Sequence, residues 1–342
     1  MHSSPISASQ IACLETVSLV GLREGSPAAV QALLRAARKQ GIFYLDLSSI
    51  SADGDTVTRL YQLAQDLFRL PLEQKMQYDV DRLGEWKING YKPVGRNVGG
   101  LSGERDGFES YGIPCHAVLN PTGQGSFAKP DILEQELELV RRFMRGCTEM
   151  VEIILRTLSA SLPLPGGITF EAFHREGDAY FNLLRLLRYE PSSDGDLRFR
   201  VPQPAHTDLG SVTVLFTNAG GLQILDPGAR ADEWLYVAPR PECAIVNLGD
   251  AISIWTDGQM RSIQHRVASL PGQPMAERYS LAFLARPGPV APMCPLLASE
   301  SFSTKGSQGA LRCEDWMKEK FRRLRGDTRK DLCGSCAVVK SG

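Results

Sequence analysis

At 342 residues, with 43% apolar and 23% charged side chains, the chain has an ordinary globular composition and enough length for a substantial core. Its 38 basic and 39 acidic residues nearly cancel, which gives no field to gather nucleic acid or an anionic membrane, so a small molecule is the expected partner. No amino-terminal stretch reads as a signal peptide or membrane span, and the eight Cys lack framework spacing, so reduced thiols and a cytoplasmic location are expected.

The first dozen residues are Ser-rich and aperiodic, and predict a flexible start reaching to about residue 15. Ser26-Pro27 supplies an N-cap and an N1 proline for a helix to Gln40, with Val30, Leu33, Leu34 and Ala37 on one stripe and Gly41 as its stop. Ile42 to Leu47 alternate as a strand. Thr56 to Leu70 form a second amphipathic helix, ended by Pro71. From Leu83 to Pro114 the chain is Gly-rich and predicts loops and short strands able to cover a pocket mouth, with a strand signal in Gly107-Phe108-Glu109-Ser110-Tyr111. Pro114 to Lys129 reads as loop. A long helix is expected from Pro130 to Ser161, closed by Leu162-Pro163-Leu164-Pro165-Gly166-Gly167.

From Tyr180 the texture changes to short strands and Gly, Pro or Asp turns, the pattern of a double-sheet jelly roll. Ala205 to Phe216 reads as one strand on which His206 and Asp208, two apart, share a face. With five His and 39 acidic residues, about 0.6 such pairs arise by chance, so the pair needs support. His265 gives it, in the alternating run Ser262-Ile263-Gln264-His265-Arg266-Val267 after the turn Thr256-Asp257-Gly258. Two imidazoles and one carboxylate leave three octahedral positions open, which suits non-haem Fe(II) better than zinc. Arg278 and Ser280 share a strand face further on, and a guanidinium fork with a hydroxyl fits the far end of a dicarboxylate. Glu314 to Arg329 predicts a basic amphipathic helix packed on the body, and Cys333 and Cys336 read as two tail thiols without function.

The order His206-x-Asp208, His265, Arg278-x-Ser280 resembles the iron- and 2-oxoglutarate-dependent dioxygenases, in the branch similar to isopenicillin N synthase and the plant flavonoid and gibberellin oxygenases. The likeness extends to Gly220-Gly221-Leu222-Gln223-Ile224-Leu225, Val246-Asn247-Leu248-Gly249-Asp250, Gly41-Ile42-Phe43-Tyr44-Leu45 and Gly90-Tyr91-Lys92-Pro93, and spans roughly Val17 to Pro287. Trp86-Lys87-Ile88-Asn89-Gly90-Tyr91 looks most like fungal natural-product members.

The resemblance implies a mainly β fold with flanking helices around a double-stranded β-helix (jelly-roll) core. It divides the chain into a flexible start (1–15), an α/β region (16–130), a long helix (131–166), a catalytic jelly roll (167–300), and a terminal helix with tail (301–342). It implies that His206, Asp208 and His265 bind Fe(II), that Arg278 and Ser280 hold the 5-carboxylate of 2-oxoglutarate, and that O2 is the oxidant. Tyr189 is expected at a cosubstrate or substrate carboxylate, whereas Arg185 is open between that contact and a structural ion pair. Trp86, Asn97, Phe108, Tyr111, Asn182, Leu222 and Phe283 are the candidates for contact with a small, largely apolar substrate. Oxidation of a C–H bond is implied. An oxidase working without 2-oxoglutarate and a non-catalytic binding module are the alternatives, and oligomeric state is not legible.

Overall fold

The computed structural model describes residues 7–49, 54–84, 86–119, 127–175, 181–191, 201–226, 228, 233–270, 276–297 and 310–324. Among these, the strands in chain order are β1 (Thr16–Ser18), β2 (Ile42–Asp46), β3 (Gly90–Lys92), β4 (Phe108–Pro114), β5 (Leu183–Tyr189) and β6 (Gln203–His206). They are followed by β7 (Val212–Thr217), β8 (Leu222–Leu225), β9 (Trp234–Tyr236), β10 (Cys243–Leu248), β11 (His265–Val267) and β12 (Arg278–Ala285). The longer ones draw on Val, Ile, Leu, Phe and Tyr, whose branched or aromatic side chains pack well on a pleated surface.

The strands form two sheets. The larger has the order β1-β2-β10-β7-β12-β5-β4-β3 and the smaller β6-β11-β8-β9; all pairings are antiparallel except β1 with β2. Their facing sides share one apolar cluster, in which Leu222, Ile224 and Val267 of the smaller sheet meet Leu187, Leu215 and Leu284 of the larger. This is the jelly-roll core. The other side of the larger sheet is covered by helices, chiefly Pro27–Lys39, Gly54–Arg69 and Leu137–Ala160, packed on Leu184, Leu186, Val214, Leu281 and Phe283. Because β1 to β4 extend the same sheet, residues before 130 help to build the barrel as well as cover it.

Several local expectations change. Within the start expected to be flexible to about residue 15, Ala8–Gln10 make a 3-10 turn and the Ala12 N–H donates to the Tyr236 carbonyl at 2.8 Å; residues 1–6 lie outside the described residues. Ser26 makes no side-chain cap, and Pro27 alone opens its helix. The loop expected over 114–129 contains a helix, Cys115–Leu119, stabilised by burying Cys115 and Val118. The long helix is two, Asp131–Gln135 and Leu137–Ala160, parted at Glu136 (φ −102°, ψ 17°), whose carboxylate is held by Arg59 at 3.0 Å. The first piece starts after Pro130 and turns Leu133 into the core. The terminal helix spans Cys313–Leu324 and buries Met317; Cys333 and Cys336 lie outside the described residues. Among the described residues no helix is long and apolar enough to cross a membrane.

Candidate metal centre

His206 ends β6 and His265 begins β11, and the two are direct partners across that antiparallel pair. Their ring centroids are 4.3 Å apart, so strand pairing alone brings distant parts of the sequence together. Asp208 is not on a strand. β6 stops at His206, and Asp208 sits in the 207–211 connection to β7, so the shared strand face expected for the pair is replaced by a strand end and a loop. That loop is pressed against residues 249–250: the Asp250 N–H donates to the Asp208 carbonyl at 2.9 Å, and a Cβ on Gly249 would stand 2.2 Å from the Gly210 carbonyl oxygen. Only glycine permits that approach.

Asp208 Oδ1 lies 3.8 Å from His265 Nε2 and 4.0 Å from His206 Nε2, and among the described residues these three form the one group whose ligand atoms converge, all within 4.8 Å. The tautomers are set by the backbone. His206 Nδ1–H donates to the Pro204 carbonyl at 2.9 Å and His265 Nδ1–H to the Ile263 carbonyl at 3.2 Å, which leaves both Nε2 lone pairs aimed at the carboxylate. Burial, and then His265 beside it, push His206 down to about 4, so its imidazole is neutral and ready to ligate. Burial alone would raise Asp208, but both imidazoles and hydrogen bonds from Thr213 and Asn247 outweigh it, and the carboxylate is held below its usual range. Asn247 Nδ2 donates to Oδ2 at 3.3 Å, leaving Oδ1 for the centre. Two imidazole nitrogens and one carboxylate oxygen brought together in this way are a divalent-cation donor set.

On the larger sheet's inner face, register sets Phe108, Tyr189 and Arg278 in one row, Ser110, Leu187, Ser280 and Thr217 in the next, and Gly112, Arg185, Ala282 and Leu215 in a third. Arg278 is 1% exposed, its Nε–H donates to the Ala219 carbonyl at 3.3 Å, its guanidinium lies 4.8 Å from the Tyr189 ring, and its Nη1 is buried without a partner among the described residues. A buried cation with unspent donors is fitted to receive a carboxylate. The Ser280 hydroxyl is on the same face, 3.4 Å from Thr217 Oγ1. Tyr189 donates its hydroxyl hydrogen bond to Gln203 Oε1, and the Gln203 amide reaches His206 Nε2 at 3.3 Å.

The substrate candidates divide by face. Phe108, stacked on Tyr189 at 5.5 Å, and Leu222 lie in the inner cluster, and Trp86 sits at its margin, 4.6 Å from Phe181. Tyr111 and Phe283 are corrected: odd-numbered positions of β4 and β12 turn to the helical side, away from the three ligands. Asn182 accepts the Arg286 N–H at 2.7 Å and braces the strand end, and Asn97 is exposed. Sequence reasoning missed Asn247 and Thr213 as partners of Asp208. Both are polar residues within apolar strand runs, which is the signal that could have found them.

Comparison with known proteins bears on this geometry. Residues 180–287 match the family model of the 2OG-Fe(II) oxygenase superfamily, and residues 14–130 match the amino-terminal model described as non-haem dioxygenase in morphine synthesis. A 2-oxoglutarate-dependent dioxygenase of Gibberella zeae is 31% identical over 312 residues, covering 90% of this chain and 86% of its own. Another, from Dothideomycetidae sp., is 30% identical and covers 91% and 90%. Among solved structures, a full-length Neurospora crassa protein in complex with alpha-KG superposes with a TM-score of 0.73 at 22% identity, covering 96% of this chain and 100% of that one.

Proposed function

Because the chain belongs to the 2OG-Fe(II) oxygenase superfamily, whose members use iron(II), 2-oxoglutarate and O2, we propose that His206, Asp208 and His265 hold the iron and that Arg278 with Ser280 anchors the cosubstrate. The observation that carries this reading is the convergence of two Nε2 lone pairs on a carboxylate oxygen, beside a buried guanidinium with an unspent donor. When bound, iron(II) and 2-oxoglutarate supply an O2-derived oxidant for a C–H bond, with succinate and CO2 as coproducts.

The protein's own residues do the rest. Pro204 and Ile263 carbonyls keep the two imidazoles in the ligating tautomer. Asn247 and Thr213 orient Asp208 so that it presents one oxygen. Tyr189, whose hydroxyl burial pushes up, stays protonated; it lies against the Arg278 guanidinium and donates to Gln203. Phe108, Leu187, Leu215 and Leu222 make an apolar floor that excludes water and takes the body of a small organic substrate. Residues 167–300 thus carry the chemistry and residues 16–130 close the pocket, a division supported by the edge position of β3 and β4 on the larger sheet.

The test is an O2-consumption assay with anaerobically loaded iron and 2-oxoglutarate, following succinate. Wild-type protein is expected to release succinate only when both are present, while His206→Ala and Asp208→Ala release none. Arg278→Gln is expected to raise the 2-oxoglutarate requirement by about 100-fold or more, as the loss of several kcal/mol at a buried ion pair would. Succinate release by the triad variants would overturn the assignment.

A further inference from the structure

Arg278 shares the inner face of the larger sheet with a second guanidinium that has no acidic partner among the described residues. The second is Arg185, in the middle of β5. Its cross-strand neighbours in register are Gly112 and Ala282, neither of which carries a side-chain acceptor. Flanked by Leu183 and Leu187, both in the inner cluster, it points between the sheets, yet it keeps accessible surface where those neighbours have almost none. It therefore lines open space inside the barrel. The His206 side chain is likewise not closed off, at 24% exposed.

The other interior cations differ from it. Lys92 pairs with Asp106 and donates to the Phe108 carbonyl at 2.6 Å; Arg286 donates to the Phe181 carbonyl at 2.8 Å and its Nε has no partner among the described residues, but at 2% exposure it faces no open space. Arg185 has no hydrogen bond to any described residue, and it is close enough to Asp208, Tyr189 and His206 for each to feel its charge. Asp208 is the sole anion among them at neutral pH, and it is committed to the metal. With iron(II) and 2-oxoglutarate bound, the metal's two positive charges and Arg278 balance Asp208 and the dianionic cosubstrate. Arg185 is left as the uncompensated guanidinium that keeps accessible surface between the sheets. Such a group is retained where a ligand supplies the anion.

We propose that Arg185 receives a carboxylate, or an equivalent anionic oxygen group, of the organic substrate, so that this oxygenase acts on an acid whose charge is held beside the three metal ligands. The inference rests on the proposed function, and it names the polar anchor of a substrate whose body meets the apolar floor. A bidentate guanidinium contact would also fix which carbon faces the centre, making Arg185 a specificity-determining residue.

The test uses benzoate and its neutral counterpart benzamide as probes, titrated calorimetrically and without O2 into protein already saturated with iron(II) and 2-oxoglutarate. Saturation is measured first; if iron or 2-oxoglutarate fails to bind, the proposed function falls, independently of the probes. In loaded protein, benzoate is expected to bind at least about tenfold tighter than benzamide, a difference of about 1.4 kcal/mol. Arg185→Gln is expected to erase that preference without changing 2-oxoglutarate affinity, and Arg185→Lys to keep part of it. Equal binding of the two probes, no binding of benzoate, or a preference that survives in Arg185→Gln would overturn the proposal. So would a tenfold loss of 2-oxoglutarate affinity in Arg185→Gln with the probe preference intact, which would assign Arg185 to the cosubstrate's own 1-carboxylate.

Discussion

The loop that carries Asp208 is tied down by side chains outside the triad. His174 Nδ1–H donates to the Phe170 carbonyl at 2.8 Å, so its Nε2 accepts from the Ser211 hydroxyl at 2.8 Å, three residues beyond Asp208. Burial pushes His174 down to about 4 from 6.5, and the ring stays neutral in the fold. Below pH 6.5 the unfolded chain takes up a proton that the folded chain refuses, so this contribution is complete above 6.5 and is lost as pH falls toward 4. The loss is expected to be about 3 kcal/mol. Urea denaturation at pH 7 and pH 4 checks it: His174→Gln should be less stable than wild type at pH 7 and lose less on acidification, whereas an unchanged acid slope would contradict the role.

At the scale of elements, the close approach of Gly249 to residues 208 and 210 joins the end of β10 to the loop that carries Asp208. Gly249→Ala would push a methyl group to 2.2 Å from the Gly210 carbonyl oxygen and 2.9 Å from that of Asp208. Iron(II) affinity is expected to fall roughly 10–100-fold, as when the support of a ligand is disturbed, and anaerobic iron titration reads it directly. On the opposite face of the larger sheet, Glu109 of β4 is buried between Lys75 Nζ at 2.7 Å, the Tyr91 hydroxyl at 2.6 Å and Arg188 Nη1 at 2.8 Å. Glu109→Ala leaves the buried Lys75 without its anion, while Arg188 keeps Glu277 at 3.1 Å and Glu190 at 3.2 Å, and should cost about 3 kcal/mol in an unfolding titration, with the triad intact.

These two elements also mark the limits of what the sequence discloses. The helices were legible from one-sided apolar stripes, and the jelly roll from short runs between turns. The faces of β4 and β12 were not, because every residue of both strands is buried and no alternation distinguishes inner from outer. Tyr111 and Phe283 were therefore indistinguishable from pocket residues until strand register assigned them to the helical side. Asp208 was read onto a strand because the apolar run after it continues the pattern. The turn at 207–211 depends on Gly210 and Gly249 meeting across the fold, a contact that no local window contains.

For the molecule as a whole, the amino-terminal and carboxy-terminal halves build one barrel whose larger sheet they share, with helices outside and the apolar cluster between the sheets. The proposed metal ligands His206 and His265 stand on the smaller sheet and Asp208 on the loop after it, while Arg278 and Arg185 stand on the larger sheet opposite. Ligand binding should thus couple the two sheets: saturating iron(II) with 2-oxoglutarate is expected to raise the thermal midpoint of wild type, and neither should do so in Asp208→Asn. The most direct measurement is anomalous diffraction at the iron edge from crystals grown without O2 in iron(II) and 2-oxoglutarate. A single iron peak bonded to His206, Asp208 and His265, with the cosubstrate's far carboxylate on Arg278, is the expected result; iron bound elsewhere, or Arg278 left without a carboxylate, would contradict it.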